Sequence, residues 1–210
     1  MALELTLYGV GTSRTMRAHW MLLELGLDYQ TIPIQSRTGE TLTDNFRRMN
    51  PRHKIPVLRH GSFLLTESAA IIQYLSETFA DATKVHVPRD SGERATLNEW
   101  CYFIMTELDA GSLYVVRRHE GLAHVYGAAP VAVEAGKSYF MHNLEAMTPR
   151  IAEHPLLFGD LLSTADILLM TCLDWAVASN LALPREVVEY RQRIAQRPAY
   201  QAAMKKNFPR

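Results

Sequence analysis

The sequence predicts an α/β domain followed by an all-α bundle, because its hydrophobic pattern changes period once, near residue 80. Strand-like runs occur only before that point, and helix-length amphipathic stretches fill the sequence after it. Between the two, residues 81–91 lose all periodicity, and Pro88 and Gly92 act as breakers. The expected division is 1–80 for the first domain, 81–91 for a linker and 92–210 for the helical domain.

In residues 3–8 apolar and polar side chains alternate, as in a strand with one buried face, and Gly9-Val10-Gly11-Thr12-Ser13 reads as the turn that follows. Met16, Trp20, Leu23 and Leu27 recur at helical spacing, with Gly26 placed to end that helix before a second strand over 29–34. A polar stretch, 35–50, comes next. Ile55-Pro56-Val57-Leu58 and Ser62-Phe63-Leu64-Leu65 flank His60-Gly61 as the arms of a hairpin. Thr66-Glu67-Ser68 then opens a helix whose stripe of Ile71, Tyr74, Leu75 and Phe79 needs another surface to cover it. The order is therefore β-α-β, polar loop, β-β-α. Beyond the linker, helices are expected over 93–120, 130–153, 164–180 and 185–196.

Composition narrows the function. A protein of 210 residues, 48% of them hydrophobic, has enough apolar material to fill one ordinary core or two small ones. Basic and acidic residues number 22 each, so no positive excess exists to neutralise a nucleic-acid backbone or an anionic membrane, and neither is an expected partner. No apolar run approaches about 18 residues. The start carries an early acid and no basic cluster, so the expected location is cytoplasmic. Cys101 and Cys172 form no C-x-x-C pair, which argues against a dithiol site and requires any essential thiol to come from a ligand. His119 and His124 lie off the spacing of a helical metal pair, so no metal is expected, and Gly9-x-Gly11 lacks the rest of a phosphate loop.

Two segments carry the chemistry. In Asn50-Pro51-Arg52-His53-Lys54-Ile55-Pro56-Val57-Leu58 a proline stands at a strand start, where it removes a ladder donor. A cis Ile55-Pro56 bond would leave the Ile55 backbone to pair with an extended ligand; a trans edge-strand proline is the commoner arrangement, since about 5 to 6% of X-Pro bonds in folded proteins are cis. Further on, Glu67-Ser68 falls in the first turn of a helix, where backbone amides and the dipole favour an anion. Ser68 can offer amide and hydroxyl to a carboxylate while Glu67 accepts from the adjacent ammonium. An ordinary helix start, with Thr66 as N-cap, accounts for the same residues.

In combination these features resemble the glutathione transferase family over the whole length. Asn50-Pro51-x-His53-x-Ile55-Pro56 with Leu58 looks like the family's glutathione-binding strand, Glu67-Ser68 like its γ-glutamyl site, and 159–166, Gly-Asp-Leu-Leu-Ser-Thr-Ala-Asp, like its helix-capping motif. In the last, Ser163 caps and Asp166 reaches back three residues, with Leu162 against Ile167 as hydrophobic staple. The His-containing strand is closest to the delta and theta-like, serine-type branch. The resemblance implies a thioredoxin-like first domain, a helical bundle as second domain, glutathione as co-substrate, a small hydrophobic electrophile, a homodimer and a role in detoxification.

It also implies a hydroxyl that stabilises the glutathione thiolate. Ser13 is the choice, because it follows the first strand and stands in a Ser-x-x-x-Arg pattern with Arg17. Thr12 is the nearest rival and Tyr8 the second, while a plain N-cap role for Ser13 needs no ligand. His53 and Lys54 would face the glycine carboxylate, Ile55 and Pro56 the ligand backbone, and Arg17 would be structural. The electrophile pocket would draw on Met105, Leu108, Leu113, Tyr114 and Val116. Isomerisation, thioether cleavage, peroxide reduction and a non-catalytic scaffold role stay open, whereas a dithiol oxidoreductase would need a cysteine in the first turn.

Overall fold

The computed structural model describes residues 4–79 and 84–209, which form two compact units. The first comprises 1–87 together with 195–210, the second 88–194. Leu3 of the first expected strand, and part of the expected linker, lie outside the described residues.

In the first unit, β1 (Leu5–Tyr8), β2 (Gln30–Ile32), β3 (Val57–His60) and β4 (Phe63–Thr66) make a sheet of order β2-β1-β3-β4. The β1 and β2 strands are parallel, while β1 with β3 and β3 with β4 are antiparallel. The parallel pair follows from the intervening helix α1 (Ser13–Glu24), which supplies the crossover that parallel strands require. Gly26, at φ +70, ends α1: its N–H bonds Leu23 C=O and the Leu27 N–H bonds Leu22 C=O, a Schellman stop. The hairpin closes through Gly61-Ser62, with His60 opposite Phe63.

The polar stretch before β3 contains a short helix, α2 (Asp44–Met49), absent from the sequence expectation. Thr43 caps it, and Phe46 anchors it in a cluster with Ile55 and Val57. Helix α3 (Ser68–Phe79) packs on α1 and buries Ile71 and Leu75 of the expected stripe together with Ile72, while Tyr74 and Phe79 are half-buried. At roughly 1.5 to 3 kcal/mol for each fully buried large aliphatic side chain, such stripes hold the unit together.

The second unit is helical. Helix α4 (Ser91–Phe103) starts at Asp90, whose carboxylate accepts from Gly92 and Glu93 N–H. The single helix expected over 93–120 does not persist: Ile104–Leu113 and Arg117–Gly121 wind as π-helix, separated by α5 (Tyr114–Val116) and followed by α6 (Ala123–Tyr126). Gly111 permits the wider coil, since a Cβ there would lie 2.9 Å from Thr106 O. Helices α7 (Pro130–Glu153), α8 (Thr164–Ala178) and α9 (Arg185–Ala195) match the remaining expectations closely. Among the described residues, no helix is long and apolar enough to cross a membrane.

The expected division 92–210 is altered at its end. Helix α10 (Pro198–Asn207), not anticipated from the sequence, packs on α1 in the first unit. Tyr200 meets Trp20 edge-on at 5.1 Å, and Arg197 pairs with Glu24.

Candidate functional site

The site grows from the turn after β1. Gly9, at φ +119, and Gly11, at φ +80, take backbone conformations that L side chains rarely adopt. Gly9 has a second constraint: a Cβ would lie 2.7 Å from Ile55 Cβ and 2.9 Å from Thr15 Cγ2. The turn therefore sits directly against the segment that precedes β3. Helix α1 begins with a capping box in which Thr12 Oγ accepts from Thr15 N–H and Thr15 Oγ accepts from Thr12 N–H, each at 3.0 Å. Thr12, not Ser13, is thus the N-cap. Ser13 occupies the first helical position, half-buried, and takes no part in the box. Tyr8 packs against Phe46, Ile55 and Val57 with Arg59 over its ring, a packing role.

The segment before β3 is shaped by Asn50, which is nearly fully buried. Its Oδ1 accepts from Arg52 N–H, its Nδ2 donates to Lys54 C=O at 2.8 Å, and its own carbonyl accepts from His53 N–H. This is the side-chain turn that an Asn-Pro pair favours. His53, at φ +56, has Nδ1 buried with no hydrogen-bond partner, while Lys54 is exposed. The Ile55-Pro56 bond is cis. Both residues are buried and precede the ladder, whose first β3 pairs are Val57 with Tyr8 and Val57 with Thr66.

Thr66 belongs to β4 and does not cap α3, so the helix starts one step later than an N-cap at Thr66 requires. The capping position falls to Glu67, at φ +69, whose C=O accepts from Ile71 N–H. Its carboxylate pairs with Arg52 at 3.1 Å, an exposed contact of small energetic weight. Ser68 is buried, and its Oγ accepts from Arg17 Nη1 at 3.2 Å. Arg17, fully buried itself, so joins α1 to the first residue of α3. Ser13, Thr12, Ile55, Glu67 and Ser68 all stand in the first unit, on elements tied by the Gly9 to Ile55 contact and the Arg17 to Ser68 bond. Of the residues offered for the electrophile pocket, Leu108, Leu113 and Val116 are buried in the core of the second unit, and Met105 and Tyr114 keep part of their surface.

Sequence reading missed two groups that shape this region. His19 is fully buried, and since a carbonyl only accepts, its Nε2–H donates to Gly9 C=O at 3.1 Å while Nδ1 accepts from Tyr29 O–H at 2.8 Å. Burial lowers its pKa to about 4. Asn207, at the end of α10, is fully buried against the same turn, with its carbonyl accepting from Gly11 N–H at 2.8 Å. A His one helical turn after Thr15 was a faint signal for the first, and the distance in sequence hid the second.

A thioredoxin-like α/β unit with a cis-proline segment beside a hydroxyl-bearing turn defines the class of protein. Residues 3–77 match the family described as "Glutathione S-transferase, N-terminal domain". The chain is 27% identical over 198 residues to glutathione S-transferase GstA of Escherichia coli O157:H7, covering 90% of this chain and 92% of that protein. It is 27% identical over 195 residues to glutathione S-transferase F14 of Arabidopsis thaliana, covering 84% and 73%. In fold it resembles the theta class glutathione S-transferase of Xanthomonas axonopodis pv. citri, solved with glutathione bound, at TM-score 0.78 and 23% identity over 96% of this chain and 97% of that one. Residues 3–77 thus match the N-terminal domain of glutathione S-transferases, and the chain is similar over most of its length to proteins of that name.

Proposed function

We propose that this protein binds reduced glutathione in the first unit, stabilises its thiolate at Ser13 and transfers it to a small hydrophobic electrophile. The observation that carries this reading is the packing of Gly9 on Ile55, which sets the Ser13 turn against the Ile55 backbone outside the ladder. An extended tripeptide paired to Ile55 would run between two polar ends. At one end, a hydroxyl that accepts from Arg17 keeps its own proton for donation, so Ser68 can hold the γ-glutamyl carboxylate while Glu67 takes the ammonium. At the other, the buried, unpartnered Nδ1 of His53 fits a ligand contact at the glycine carboxylate, with Lys54 adding charge.

Ser13 suits the thiolate better than Thr12 does, because Thr12 Oγ lies 3.0 Å from Thr15 Oγ, whose own proton goes to Asn207, so the Thr12 proton is taken up by Thr15. A thiol with a pKa near 8.5 needs roughly 2.7 kcal/mol of preference for the anion to fall by about two units. A hydroxyl donor worth about 1.5 to 3 kcal/mol to a charged group, aided by the amides and dipole of a helix start, supplies that amount. With an aryl halide the S–C bond forms as the carbon–halogen bond breaks, halide departs, and the thiol proton has already gone to solvent. The acting unit is proposed to be a cytoplasmic homodimer.

Calorimetry with millimolar reduced glutathione tests binding, and turnover of a chromogenic aryl halide tests transfer. Binding heat, with turnover that collapses in Ser13→Ala, supports the reading. Absence of heat and of thermal stabilisation overturns it, and full turnover in Ser13→Ala removes Ser13 from it.

A further inference from the structure

We infer that Asn207 is a positioning residue for the thiolate-stabilising turn, so that the last described helix governs chemistry at Ser13; this rests on the Ser13 reading above. Asn207 is fully buried at the C-terminal end of α10. Three hydrogen bonds tie it to the turn. Its Nδ2 donates to Thr12 C=O at 3.0 Å, its Oδ1 accepts from Thr15 O–H at 2.6 Å, and its backbone carbonyl accepts from Gly11 N–H at 2.8 Å. The residues so gripped, Gly11, Thr12 and Thr15, bracket Ser13 on both sides.

A residue that only ended its own helix would have no need of this pattern. The carbonyls of a final helical turn have no partner within the helix, and the turn's Gly11 N–H satisfies one of them. The Asn207 amide then closes the capping box from outside: the Thr15 hydroxyl accepts from Thr12 N–H and gives its single proton to Asn207. Two glycines within three residues make this turn loose by nature, since glycine has more conformations to lose than any other residue. Stabilisation of an anion depends on donors already fixed where the charge appears, so a turn that wanders forfeits it. Asn207 supplies the fixity that Gly9 and Gly11 withhold.

The test reads the pKa of bound glutathione directly, from thiolate absorbance as pH is raised over the full-length protein, beside the pH–rate profile and the calorimetric Kd. Asn207→Ala is expected to raise the bound-thiol pKa by about one unit, from about 6.5 to about 7.5, which is about a threefold loss of thiolate at pH 7, and to cut kcat/KM by the same factor, with recovery at alkaline pH. Its Kd for glutathione should stay within about threefold, because the Ser68 end is untouched. Thr15→Val, near-isosteric, attacks the same link from the other side and should repeat the shift, whereas Thr15→Ser, which keeps the hydroxyl, should not. If Asn207→Ala fails to fold, the two Thr15 variants decide. A bound-thiol pKa equal to wild type in folded Asn207→Ala or Thr15→Val overturns the inference alone. No thiolate signal in the wild type overturns the Ser13 reading and the inference together.

Discussion

Replacing the Ser13 hydroxyl by a hydrogen removes one donor without touching the Thr12 to Thr15 capping box. Ser13→Ala should therefore melt within a few degrees of wild type while losing about 10- to 100-fold in kcat/KM, the range of one hydrogen bond to an anion. A thermal scan beside a turnover assay checks both halves. His19 makes a separate prediction through pH. Its folded pKa of about 4 lies below the unfolded value of 6.5, so on acidification the unfolded state takes up the proton first. Stability is then complete above pH 6.5, declines as pH falls through the window from 6.5 to about 4, and loses nothing more from this residue below it. The difference, 6.5 minus about 4, corresponds to roughly 3 kcal/mol at most. Denaturant midpoints across that window, with the His19 ring followed by NMR, would show the ring protonating near pH 4; protonation near 6.5 would contradict it. Thr12, Ser13, His53, Glu67 and Ser68 stand out in the sequence as candidates because each belongs to a short local pattern. Which of Thr12 and Ser13 caps the helix was not legible, since that depends on where helical dihedrals begin.

Elements stand or fall on their ends, and α8 shows this most fully. Ser163 caps it, and the Asp166 carboxylate accepts from Ser163 N–H, Ser163 O–H, Leu157 N–H and Tyr190 O–H. Burial pushes that carboxyl up, against these four donors, which pull it down. Ser163→Ala should cost about 1 kcal/mol, as the loss of a cap does, and Asp166→Ala about 3 kcal/mol or more, because it strands several buried donors at once. Urea midpoints measure both, and an Asp166→Ala cost no larger than that of Ser163→Ala would show the network to be dispensable. This box was readable in advance, Ser and Asp three residues apart ahead of an apolar run. The π-wound stretches 104–113 and 117–121 were not: i to i+5 bonding, as from Tyr114 N–H to Asp109 C=O, keeps helical backbone angles yet rotates successive side chains off the 3.6-residue stripe. Periodicity reads such a stretch as one long α-helix.

At the scale of the whole molecule, the break near residue 80 was visible because it is a change of hydrophobic period, a local property. The return of 195–210 to the first unit was invisible because it is a contact between segments far apart in sequence. The expected helices ended at 196, whereas Pro198 stands in the first turn of α10, where its missing N–H costs nothing. The consequence is that the first unit depends on residues more than 100 positions beyond the rest of it in sequence. Trp20, fully buried in α1, has Tyr200 edge-on to it, Glu24 holds Arg197, and Thr15 holds Asn207. An aromatic pair of this kind adds about 0.5 to 1.5 kcal/mol beyond the area it buries, and removing the helix would also bare the apolar face of α1 and return the Gly11 N–H to water. A protein truncated after Gln196 should accordingly lose amide-exchange protection in β1 and α1, far away in sequence, while α7 and α8 keep theirs. Exchange read by mass spectrometry on the two proteins distinguishes the cases: loss spread over α7 and α8 would assign the last helix to the second unit, and loss confined to β1, α1 and their neighbours would place the turn that carries Ser13 under the control of the C-terminal helix.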